Sequence, residues 1–203
     1  MSLVFVLDRP SHSMQRDALT AENSAESASG SRTSSAPCLI RPIAPSDNAA
    51  LEQIVRSVLA EFGCVGPGYA SSDPELTTLY QVYTRPRSGF WVVSNAQGEC
   101  LGGGGYAPLN GDATGVWAEV QKFYFLPQAR GLGLGRQVLS RVIEHAKQAG
   151  YHHLYLETVE AMRAASVLYQ RAGFESLSQP KGSTGHHACT VWMHKDLLAG
   201  KIP

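Results

Sequence analysis

The chain has 203 residues, long enough for one domain with a sizeable core. Its 17 Lys and Arg balance 17 Asp and Glu, so the composition offers no electrostatic footprint for nucleic acid or an anionic membrane. The early apolar run LVFVL is too short for a signal-peptide core or a span, and four cysteines without CxxC spacing suit reduced thiols, so a soluble cytoplasmic protein is expected.

Residues 1–37 are rich in Ser and Ala and lack a persistent apolar period over most of their length; they are expected to form a disordered tail, with Met14 as an alternative start. Arg9, Arg16 and Arg32 are interspersed with acidic residues, which argues against a targeting peptide. The folded part begins with a short strand in CLIRP. Ser46 or Asp47 then offers a cap for a helix carrying Leu51, Ile54, Val55, Val58 and Leu59 on one face. A second helix is expected after SSDPE, with Pro74 in its first turn and Leu76, Leu79 and Tyr80 as its stripe. GFWVVSNAQGECLGGGGYAPL reads as an antiparallel hairpin turning at Asn95–Gly98. Its GGGG, residues 102–105, either admits a close approach or marks a bulge.

GVWAEVQKFYFLP is the next strand, stopped by Pro127. A helix with Leu134, Val138, Leu139, Val142, Ile143 and Ala146 on one face follows and ends at Gly150. The strand YHHLYLETV, the helix EAMRAASVLYQRAGF and then one or two strands, the last in HACTVWMH, complete an α/β order with a mixed sheet.

Between the fourth strand and its helix, LPQARGLGLGRQVL sets Gly131, Gly133 and Gly135 at alternate positions. A strand entering a glycine-rich turn and then a helix presents free backbone N–H groups at the positive end of the helix dipole, a site suited to phosphate. The spacing fits neither GxxxxGK[ST] nor GxGxxG. A plain turn with a flexible helix start is the alternative for this loop taken alone.

The stretch resembles the Q/R-x-x-G-x-G/A motif of the GNAT superfamily of N-acetyltransferases, matched by Gln128, Arg130, Gly131, Gly133 and Gly135. Upstream, AEVQKFYFLPQARG is similar to the family strand that gives backbone partners to the pantetheine arm. Downstream, AASVLYQRAGF is similar to its A-x-x-LY-x-x-x-GF helix. The resemblance implies a single domain over residues 38–203, with a central mixed, mostly antiparallel twisted sheet flanked by helices. It further implies acetyl-CoA as co-substrate, held by Phe123, Tyr124, Phe125, Gln128, Arg130, Gly131, Leu132, Gly133, Leu134, Gly135 and Arg136. Tyr124 is also read as a core residue. Where many members carry Asn before the last helix, this chain has Met162, which leaves any contact made by that Asn in doubt. Exposed strands of the family fold commonly pair across homodimers.

An amine acceptor of Lys type has a pKa of about 10.4, so freeing its lone pair at pH 7 costs roughly 4 to 5 kcal/mol and calls for a base. By resemblance, Glu119 occupies the base position, and Tyr169 matches the phenol that returns a proton to the departing CoA thiolate. Glu119 reads otherwise as an exposed strand residue or a structural ion pair, and Tyr169 as a half-buried helix aromatic. Strict alternation puts Glu119, Gln121, Phe123 and Phe125 on one face. Glu157, Glu160, His186 and His187 are reserve groups. The His pairs 152/153 and 186/187 lack HExxH or Cys/His ligand spacing, so no metal is expected. Cys100 and Cys189 have no motif pairing them with a base, which favours direct attack in a ternary complex on a small amine or amino acid. A protein acceptor, or an acyl-CoA-binding module without turnover, are the alternatives.

Overall fold

The computed structural model describes residues 38–199; the reading of residues 1–37 as a disordered tail lies outside them. Seven strands form one sheet in the order β1-β2-β3-β4-β5-β7-β6. They are β1 (Leu39–Pro42), β2 (Gly89–Ser94), β3 (Cys100–Pro108), β4 (Trp117–Phe125), β5 (His153–Thr158), β6 (Glu175–Leu177) and β7 (Val191–Asp196). Among the described residues only β4 and β5 run parallel, because the helix between them returns the chain to the same end of the sheet. All other neighbours are antiparallel, as the resemblance implied.

Helices cover both faces. On one, α1 (Asn48–Glu61) and the short α2 (Leu79–Tyr83) bury Leu51, Val55, Leu59, Leu79 and Tyr83 against Phe90 and Val92. On the other, α3 (Leu134–Gln148) and α4 (Arg163–Arg171) bury Val138, Leu139, Val142 and Tyr169 against Trp91, Val93, Val120 and Leu154. Alternate residues of β2 therefore enter two different cores, which is why GFWVV is an unbroken apolar run. Each such side chain contributes roughly 1.5–3 kcal/mol on burial.

Two local expectations are corrected. Neither Ser46 nor Asp47 caps α1: Pro45–Asp47 forms a 3-10 turn, and the Asp47 carboxylate turns back to accept from Ala44 N–H at 2.7 Å and from Arg41 at 2.7 and 2.8 Å. The second helix is split into a 3-10 turn, Pro74–Thr78, and the five-residue α2, so Tyr83 rather than Tyr80 is the buried aromatic.

The GGGG run answers its own question by contact. A Cβ on Gly103 would meet Phe90 at 2.6 Å, one on Gly105 would meet Phe90 at 2.6 Å, and one on Gly104 would meet the Phe123 ring at 2.2 Å. The bare strand seats one aromatic ring on each face. Gly104→Ala is accordingly expected to destabilise the fold by about 1–3 kcal/mol through overpacking. A lower thermal midpoint would show it, and an unchanged midpoint would mean that Phe123 can swing aside.

Candidate active site

Strand β4 organises the site through one irregularity. Its ladder with β3 runs Ala107↔Glu119 and Gly105↔Gln121, then resumes at Gly103↔Tyr124 and Gly102↔Phe125. Two residues, Lys122 and Phe123, thus stand opposite Gly104 alone, and Lys122 adopts φ 51°, a left-handed backbone rarely taken by a side-chain-bearing residue. The extra residue reverses the alternation. Glu119 and Gln121 share their face with Tyr124, while Phe125 lies on the other, so the expected single face of Glu119, Gln121, Phe123 and Phe125 does not form. Tyr124 packs with the α1 side of the core and also lines the cavity described below.

Pairing of β4 with β5 ends at Glu119↔Tyr155, although β4 continues to Phe125 and β5 to Thr158. The strands part, and a cavity of about 60 Å³ opens at the fork. Beyond β4, Gly131 and Gly133 both take φ 74° with open space where a Cβ would stand. The first helical bond of α3 runs from Gln137 N–H to Gly133 C=O, so the N–H groups of Leu134, Gly135 and Arg136 are free of helical partners. Gly135 brings α3 close to α4 and β4: a Cβ there would lie 3.4 Å from Leu168 and 3.8 Å from Phe123 and Phe125.

Side chains in this loop divide. Gln128, Leu132 and Arg136 are exposed beside the helix start, whereas Leu134 is buried in the core and can present only its backbone. Arg130 is engaged with protein: its guanidinium grips Glu61 at 2.6 and 2.7 Å and donates to Phe125 C=O at 2.9 Å, pinning the loop to the end of α1. To hold phosphate it would exchange Glu61.

Glu119 and Tyr169 line the same cavity. Glu119 is 3% exposed, which removes the reading of an exposed strand residue, and burial pushes its carboxyl up to about 7 against a hydrogen bond from Gln121. Tyr83 hydroxyl donates to Gln121 Oε1 at 2.9 Å, and Gln121 Nε2 donates to Glu119 Oε2 at 2.6 Å, so the carboxylate is oriented through a two-step chain. Tyr169 is buried between Phe123 and Phe174, with ring centroids at 5.9 and 5.8 Å; burial raises its phenol and keeps the proton on it.

The sequence reading missed a charged cluster beside these two groups. Lys122 Nζ, with its side chain 2% exposed, pairs with Asp73 and with Glu75 at 3.2 Å. His186 Nε2 meets Asp73 Oδ2 at 3.0 Å; that hydrogen bond raises the His186 pKa despite burial. Burial works to raise Asp73, but His186 and Lys122 together hold it below the usual carboxylate range. A lone Lys inside VQKFYF was the available signal, since a buried ammonium demands a partner. Of the reserve groups, Glu157 and His186 line the cavity, while Glu160 is exposed and His187 packs over Gly68. Met162 lines the cavity where the family Asn was expected, its sulfur 3.8 Å from the Thr158 hydroxyl. All four cysteines are free thiols, and burial pushes Cys189 up to about 12, away from nucleophilic use at neutral pH.

Residues 51–174 match the family model for the acetyltransferase (GNAT) family. The chain belongs to that family. It is 41% identical over 160 residues to an uncharacterized N-acetyltransferase, YjgM, of Escherichia coli, which covers 78% of this chain and 95% of the relative. An L-methionine sulfoximine/L-methionine sulfone acetyltransferase of Pseudomonas aeruginosa is 38% identical over 102 residues, 47% of this chain and 57% of that one. Among solved structures, a putative acetyltransferase (yncA) of Salmonella typhimurium with acetyl-CoA superposes with a TM-score of 0.65 at 20% identity, over 83% of this chain and 98% of that one. This GNAT chain is thus an acyltransferase, an N-acetyltransferase that uses the family co-substrate acetyl-CoA. Among the described residues, no three His, Cys, Asp or Glu side chains are arranged to hold a metal, and no helix is long and apolar enough to cross a membrane.

For this GNAT loop, Gly133→Ala meets no steric block but a backbone cost of about 1–2 kcal/mol for a left-handed residue. CoA affinity measured by calorimetry is expected to fall roughly tenfold, on about 1.4 kcal/mol per decade. Unchanged affinity would take the phosphate role away from this turn.

Proposed function

We propose that the enzyme acetylates the primary amine of a small molecule or amino acid by direct attack on acetyl-CoA in a ternary complex. The observation that carries this reading is one cavity, at the fork of β4 and β5, lined by both a carboxyl poised near neutrality and a protonated phenol. Glu119 takes one proton of the incoming ammonium, the amine lone pair attacks the thioester carbonyl, and the C–S bond breaks as Tyr169 protonates the departing thiolate. The surplus proton of the acylated nitrogen passes to the Tyr169 phenolate, leaving a neutral amide, the CoA thiol and one proton on Glu119. Negative charge on the carbonyl oxygen is met by backbone N–H at the β4 bulge, around Phe123 and Phe125. Pyrophosphate rests on the free N–H groups of Gly131 to Arg136, at the positive end of α3.

A small acceptor is supported by what closes the cavity. Ala188 N–H donates to Gly68 C=O at 3.2 Å, His186 joins Asp73, and Ser183 N–H donates to Asn110 C=O at 2.8 Å. The first two bonds tie the loops before α2 and before β7 together beside the catalytic groups, and the third ties the loop before β7 to the β3–β4 loop, which favours a compact amine over an extended polypeptide. The Pseudomonas relative, a methionine sulfoximine and methionine sulfone acetyltransferase, points the same way.

Thiol release from acetyl-CoA, followed with a panel of amines, amino acids and peptides, tests the reading. Turnover confined to small amines supports it; turnover confined to peptides reverses the acceptor class. CoA binding without release for any amine makes the chain an acyl-CoA-binding module.

A further inference from the structure

Glu157 stands at the end of β5, where the strands part, and its side chain is 4% exposed. Its two oxygens are treated unequally. Oε1 accepts from the Tyr155 hydroxyl at 2.7 Å and the Thr184 hydroxyl at 3.0 Å, bonds that lock the carboxylate in place. Among the described residues, Oε2 is buried without a hydrogen-bond partner. His186 Nδ1 lies 4.0 Å from it, beyond hydrogen-bond reach, and the other His186 ring nitrogen is committed to Asp73. Lys122, the buried cation of this cluster, is already shared by Asp73 and Glu75.

A buried carboxylate oxygen left unpaired is costly, more so than a neutral group, and a fold retains one where something else completes it. Around the cavity Asp73, Glu75 and Glu157 outnumber Lys122 and His186, before Glu119 is considered, so the missing partner is a cation or a strong donor. Its position is equally informative: Glu157 and Glu119 line one cavity and feel each other's charge.

We infer that Glu157 Oε2 is the docking point for the acceptor's ammonium group, which makes Glu157 a specificity-determining residue and the acceptor an aliphatic amine that arrives as a cation. An arylamine, neutral at pH 7, brings no charge to this oxygen. The inference rests on the acetyl-transfer reading and narrows it: Glu157 holds the ammonium, and Glu119 removes its proton.

The test separates docking from proton transfer. Glu157→Gln keeps an oxygen to accept from Tyr155 and Thr184 but loses the charge on Oε2. The KM for an alkylamine acceptor is expected to rise at least tenfold, with the KM for acetyl-CoA within twofold and kcat within threefold. Glu157→Asp, which retains the charge, is expected to lie between the two, and thermal midpoints show whether each variant folds. A fall in kcat at unchanged acceptor KM makes Glu157 a base and overturns the proposal, while leaving acetyl transfer standing.

Binding to the CoA-loaded protein gives a readout independent of turnover. Calorimetry with butylamine and its isostere butan-1-ol at pH 7 is expected to favour the amine at least tenfold in wild type, and to lose that preference in Glu157→Gln. Equal binding of the two probes to wild type, or no binding of butylamine, overturns the docking site. Butylamine bound through Glu157 without acetyl transfer to any amine sinks the transfer reading and leaves the docking site intact.

Discussion

Replacing Glu119 by Gln is expected to lower kcat/KM by roughly a hundred- to ten-thousand-fold, the range in which a placed general base contributes. In wild type, kcat/KM should rise with pH through about 7 and level off above it, because the carboxylate form accepts the proton and burial has moved the group into that range. The variant should lose this rising limb. Stability carries the opposite sign. A carboxyl whose folded pKa is raised contributes most below its unfolded value near 4.5, and that contribution is lost as pH rises through about 7. The gap of about 2.5 units corresponds to about 3 kcal/mol, so Glu119→Gln should unfold at a higher temperature than wild type at pH 8 and show little difference at pH 4. A variant both active and no more stable at pH 8 would remove Glu119 from the base role.

Tyr169→Phe is expected to reduce kcat by about a hundredfold or more while leaving CoA affinity and the thermal midpoint near wild type. The phenyl ring keeps its packing between Phe123 and Phe174, so only the proton donor is lost. Because the defect lies in protonating the leaving thiolate, an acetyl thioester of a more acidic thiol should restore part of the rate. Equal loss with both donors would mean that the hydroxyl acts elsewhere, and a large drop in thermal midpoint would make Tyr169 a core residue first.

Between these two residues the sequence was legible to different degrees. Tyr169 sits in a helix whose apolar spacing and Gly173 stop can be read directly, and the burial of that helix face follows from its period. Glu119 could be placed on its strand, but not valued: its carboxyl is poised near 7 by burial, which depends on segments far along the chain, Tyr83 among them, reaching it through Gln121. The reading of β4 as a simple alternating strand failed at Lys122. A bulge depends on what the neighbouring strand offers, and here β3 offers a bare Gly104 beneath Phe123. Likewise Asp73 and His186 meet across a separation of 113 residues, and nothing local in SSDPE or GSTGHHA announces that pair.

The sequence by itself determined the order of strands and helices, the glycine turn ahead of α3 and the family those features identify. Periodicity, backbone permissiveness at glycine and helix-end polarity are properties of contiguous residues. Only the tertiary structure decided which face Glu119 shares, how Arg130 is engaged, and that one oxygen of Glu157 is buried without a partner among the described residues. Register, desolvation and charge pairing are set by residues remote along the chain, and they take their values only when the β4–β5 fork and the loops beside it come together.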